Sequence, residues 1–142
     1  TGHELGHYGL EDYLEKRHEL ISSAVAWVHL GANFGTAVGG GMLFQASDEE
    51  MRTLVLEAMA RYGREPARET PVGERALGEA RNIFDGGGRF FSLIGTNGLF
   101  HHPRDRWPEA VDVAAVAAIA RAFSEVAIEL AGPGQPSELA QE

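Results

Sequence analysis

The sequence predicts an α/β layered domain in which a mostly parallel sheet is flanked by helices. Three observations carry this. Residues 24–30 (AVAWVHL) form a β-branched, aromatic and almost wholly apolar run, as a strand covered on both faces would. Two further apolar runs, residues 42–45 (MLFQ) and 90–94 (FFSLI), have the length of buried strands. Between and after them lie two segments with helical periodicity, and strands alternating with helices point to a layered α/β architecture.

Taken in order, residues 10–18 carry Leu10, Tyr13 and Leu14 at helical spacing among charges, which predicts a short amphipathic helix. The strand at 24–30 follows and ends in the turn Gly31-Ala32-Asn33-Phe34-Gly35. The glycine run 39–41 then leads into the strand at 42–45. Ser47-Asp48-Glu49-Glu50 reads as a capping box, so a helix is expected over 48–62, with Met51, Leu54, Val55, Ala58, Met59 and Tyr62 as its apolar stripe and Gly63 as its stop. Residues 64–71 fit an edge strand, because Pro66 and Pro71 are poorly tolerated in a central one. Residues 76–84 are ambiguous between loop and one helical turn. Asp112 is placed to cap a last helix whose apolar face runs from Val113 through Val116, Ile119, Ala120, Phe123, Val126 and Ala127 to Leu130, ended by Gly132-Pro133.

The 142 residues suit one domain, read as 1–131, with 132–142 a small, polar tail expected to be disordered. A net charge of −9, from 12 basic and 21 acidic residues, argues against a nucleic-acid or anionic-lipid footprint and favours peptide or protein partners. No apolar stretch is long enough to span a bilayer, so a soluble domain is expected, in a compartment the sequence does not specify. The absence of cysteine removes disulfides and thiolate cages, so a metal site would have to use His, Asp and Glu. The chain begins without methionine inside a motif, which predicts a piece cut from a longer protein.

Two clusters hold the candidate chemistry. His3-Glu4-Leu5-Gly6-His7 reads as HExxH, in which histidines one helical turn apart share a zinc ion and the glutamate activates water. The longer metzincin form fails, because Leu10 and Tyr13 stand where its glycine and third histidine would be. Phe100-His101-His102-Pro103-Arg104-Asp105 is the second cluster, followed by Ala110-Val111-Asp112 and the last helix.

Taken together, the clusters resemble the C-terminal half of the di-zinc aminopeptidases of metallopeptidase family twenty-eight. TGHELGHYGL is similar to the segment after a central strand of that family, where two acidic residues precede a helix start. His101-His102-Pro103-Arg104-Asp105 is similar to its His-x-Pro-x-Asp pattern. Residues 78–94 resemble, less specifically, its loop and final strand. The resemblance implies a partial zinc-aminopeptidase (phosphorylase/hydrolase-like) fold. It places Glu4 on a metal-binding carboxylate, His101 on the metal-binding histidine and His3 on the catalytic general base. A metal aspartate of the family falls at His29-Leu30-Gly31-Ala32, where this chain has no carboxylate. Two ligands fall short of the three a catalytic zinc needs. The implied reading is therefore a fragment of a zinc aminopeptidase-like protein with a degenerate metal site, inactive by itself. A non-catalytic pseudo-peptidase binding or assembly domain is the first alternative, and an HExxH zinc protease the second. A half sheet would expose an open edge, so homo-oligomers through that edge are expected.

Simpler readings accompany these residues. His29 fits a hydrogen-bonded core histidine, and His7 and His18 fit solvent-facing helix positions. His102 is expected to point away from His101's pocket. The glycine runs 39–41 and 86–88 lack a phosphate loop's lysine and read as turns. Trp107-Pro108 is expected to pack under the last helix. Arg81 and Arg106 suit either a peptide carboxylate or surface ion pairs.

Overall fold

The computed structural model describes residues 6–132. In chain order they form α1 (Tyr8–Lys16), α2 (Glu19–Ser23), β1 (Trp27–Leu30), β2 (Gly41–Ala46), α3 (Glu49–Arg61), β3 (Arg68–Glu69), α4 (Ala80–Asp85), β4 (Phe90–Thr96) and α5 (Val113–Ala131). The strands make one sheet in the order β1-β4-β2-β3. The last strand is inserted between the first two. β1 pairs with β4 in parallel, and so does β2 with β3, but β2 and β4 meet antiparallel across the centre. The mixed α/β architecture is as expected, and two of its three pairings are parallel.

Side-chain alternation along β4 divides the core. Phe91 and Leu93 face a layer built by α3 and α5, where Met51, Val55, Ala58, Met59, Ile119, Ala122, Phe123 and Val126 are buried. Phe91 and Phe123 meet edge to face at 5.1 Å between centroids. Phe90 faces the other way, against Leu14 of α1 and Ala76, Ala80 and Ile83 around α4. Helices thus cover both sheet faces, and α3 is tied to α5 by Arg61 and Tyr62, which both donate to Glu125.

Several expectations need correction. The strand at 24–30 is not covered on both faces: it shortens to β1, lies at the sheet edge among the described residues, and leaves Val28 and Leu30 half exposed, at 51% and 46%. The ambiguous stretch at 76–84 contains α4, and the edge strand at 64–71 contracts to the two residues of β3. His7 does not face solvent but is buried, capping α1 from a left-handed conformation. Trp107 is exposed rather than packed under α5. The expected tail beyond Gly132 lies outside the described residues. Among the described residues no helix is long and apolar enough to cross a membrane.

The cap of α3 is Asp48 rather than Ser47. Asp48 Oδ1 accepts from the Met51 amide at 2.8 Å, while Ser47 Oγ donates to Asp48 and accepts from the Phe90 amide, tying the cap to β4. Arg89 closes the group by donating to Asp48 at 3.0 Å and to Glu50 at 2.9 Å. Burial pushes the Asp48 carboxyl up, but hydrogen bonds from Arg89, Met51 and Ser47 together with the Arg89 charge outweigh it, and bring it from 3.8 down to about 2. With the folded value below the unfolded one, this stabilisation is present in full above 3.8 and is lost as pH falls through about 2. Asp48→Asn is therefore expected to flatten the acid limb of stability over that window, read from thermal melts against pH. Asp48→Ala is expected to cost about 1 kcal/mol at neutral pH as a lost helix cap, measured by urea denaturation.

Candidate functional site

The carboxyl ends of β1 and β4 open into a cleft of about 820 Å³, lined by residues 28–33, Glu79, residues 100–102 and Asp105. Three loops build it: the turn after β1, the approach to α4, and the long segment after β4. That last loop is held by its own polar groups. Asn97 Oδ1 accepts from the Leu99 amide and Asn97 Nδ2 donates to Asp105 at 2.8 Å, while His102 Nδ1 accepts from the Arg104 amide at 3.1 Å. His101 adopts a left-handed φ of 63° and stacks on Phe100, with ring centroids 4.0 Å apart.

A row of polar side chains leads from the cleft into the sheet because of strand register. His29 of β1 pairs with Ser92 of β4, and Ser92 pairs with Gln45 of β2, so three polar side chains lie in a row on the α4 face. His29 Nδ1 lies 2.7 Å from Ser92 Oγ, and its Nε2 lies 3.1 Å from Glu79 Oε2. The chain runs from a fully buried serine, at 0% exposure, through the imidazole to a carboxylate whose side chain is 30% exposed in the cleft. Two protonation states satisfy it. A neutral ring accepts from the serine hydroxyl and donates from Nε2 to Glu79, and an imidazolium donates to both. Gln45 holds the same covering loop, donating to Thr70 at 3.0 Å and accepting from the Leu77 amide at 3.1 Å. Gly78, at φ 62°, lies so close to His29 that a Cβ would come within 2.9 Å of the ring.

Of the residues the sequence singled out, His101 lies on this cleft, exposed at its rim. His3 and Glu4 lie outside the described residues. His102 lines the cleft beside His101 instead of pointing away. His29 has the hydrogen bonds of a core histidine, yet it also lines the cleft. His7 Nδ1 lies 3.3 Å from Asn82 Oδ1 and 3.4 Å from an Arg81 nitrogen, so it docks α1 onto α4. Gly6 and His7 are both left-handed and α1 starts only at Tyr8, which removes from His7 the helical setting that HExxH requires. Glu79 and Asn33 are cleft residues that sequence reasoning did not select. Glu79 had only a flanking glycine to mark it, and Asn33 stood in a glycine-bracketed turn.

The described residues contain no group of three or more His, Asp or Glu placed to hold a metal ion. No protein-family profile matches the chain, and neither curated proteins nor solved structures gave a match.

Ser92→Ala is expected to lower the unfolding free energy by about 1–2 kcal/mol by removing the hydroxyl that lies 2.7 Å from His29 Nδ1. Gly78→Ala should also destabilise, since it combines a strained φ with overlap onto His29. Urea denaturation of both variants checks this.

Proposed function

We propose that this chain is the C-terminal part of a zinc-aminopeptidase-like α/β domain, similar to metallopeptidase family twenty-eight. Its metal site is degenerate and its cleft binds peptide. The observation that carries this reading is the position of the cleft. Open α/β sheets bind ligands outside the carboxyl ends of their parallel strands, and here the cleft at the ends of β1 and β4 contains His101, the residue the resemblance assigns to metal. Residues 29–32, the stretch where the resemblance would put a metal aspartate, line the same cleft.

Zinc in such a site polarises a carbonyl and activates water. Glu4 and His101 are the two residues the resemblance gives it, one fewer than a catalytic zinc needs, so no chemical step is assigned to it here. The reading therefore favours a binding or assembly role for this chain. The open outer side of β1 supports self-association. In a parallel ladder the backbone groups of Val28 and Leu30 point away from β4, and no described strand covers that edge.

The test is zinc content of the purified chain, with Glu4→Ala, His101→Ala, His3→Ala and His7→Ala variants. Substoichiometric zinc, unchanged across the variants, is the expected result. Stoichiometric zinc lost in Glu4→Ala and His101→Ala would replace the degenerate site with a working one. Stoichiometric zinc lost in His3→Ala and His7→Ala would favour the HExxH protease.

A further inference from the structure

We infer that Asn33 is the carbonyl-binding donor of the cleft, and that with Glu79 it reads a neutral amide flanked by apolar groups. The inference rests on the reading of the cleft as a peptide site, and names the side chains that would recognise the peptide.

Asn33 Nδ2 is buried and has no hydrogen-bond partner among the described residues. Nearly all buried donors in folded proteins are paired, and leaving one unmatched costs about 1–3 kcal/mol, so an orphan of this kind calls for a partner that arrives later. Asn33 lines the cleft. Its backbone is left-handed, with φ 55°, a conformation that asparagine adopts more readily than other residues with a Cβ.

The surrounding chain holds this conformation in place. The Gly95 amide of β4 donates to the Ala32 carbonyl at 2.6 Å. A Cβ at Gly95 would overlap the Asn33 backbone, so only glycine in the central strand lets the turn sit this close. The backbone that carries the donor is therefore set by the sheet before any ligand enters.

Glu79 supplies the complementary group. Its carboxylate is held by His29 and accepts hydrogen bonds, whereas Asn33 Nδ2 donates them. A secondary amide matches the pair, its oxygen accepting from Asn33 and its N–H donating to Glu79. Val28, Leu30 and Phe100, each about half exposed, line the same cleft and supply its apolar surface.

The probe is N-acetyl-L-leucinamide, titrated into the ¹⁵N-labelled chain with chelator present, so that the answer does not depend on metal. The Asn33 side-chain amide signals are identified by their loss in Asn33→Asp. Aspartate tolerates the left-handed backbone and keeps the shape while removing the donor. Asn33→Gly is the second variant and keeps the positive φ free of strain. The expected result is a saturable shift of the Asn33 amide signals, with binding about tenfold weaker in both variants, the worth of one hydrogen bond to a buried donor. Leucinol, which has no carbonyl, should leave those signals in place. Equal binding by wild type and both variants, or equal shifts from leucinol, would overturn the role of Asn33 while leaving the cleft as a binding site. No binding of the amide by folded wild-type chain would overturn the inference as a whole. A stoichiometric zinc result would instead overturn the degenerate-site reading and leave the amide assignment standing.

Discussion

The structure depends on a serine in the middle of an apolar sheet. Ser92 is flanked by Phe91 and Leu93 in β4 and has no exposure, so its hydroxyl must be matched inside the protein. The match comes from His29 on the neighbouring strand, which in turn reaches Glu79 on the loop above. Gln45, on the other side of Ser92, holds the same loop at Leu77 and reaches Thr70 beyond β3. Because hydrogen bonds have directional requirements that apolar contacts lack, this row sets the register of three strands and the height of the covering loop together.

The two long helices and the central strand were legible because their signals are local, whereas α2 and α4 carried no such signal. The stripe of α3, the face of α5 with its Asp112 cap, and the FFSLI run of β4 each follow from periodicity within a single segment. The strand order was not legible. Nothing in residues 24–46 announces that residues far downstream will be inserted between β1 and β2, or that no described strand will pair with the other side of β1. The α3 cap was misread by one position because Ser47 and Asp48 both have oxygens suited to it. The choice fell to Asp48, since Ser47 is needed at the Phe90 amide.

The site was legible in part and for similar reasons. His101 stood out by its neighbours, and it does line the cleft. Glu79 carries no local signal, because what distinguishes it is a partner on a distant strand. His29 was weighed as a buried hydrogen-bonded histidine, and it is hydrogen-bonded, but the cleft reaches its ring. His7 illustrates the opposite failure. A motif spacing suggested metal chemistry, whereas the imidazole is used to seat the first helix against Asn82 and Arg81.

The direction of β2 has a last consequence. Since it runs opposite to β4, the end of β2 and the start of β4 share one rim, where Ser47, Asp48 and Arg89 interlock, while the cleft occupies the other. The Asp48–Arg89 lock and the cleft thereby lie at opposite poles of the sheet. Substitutions that remodel the loops around the cleft would leave the far lock untouched, which gives this scaffold room to vary its cleft without losing its shape.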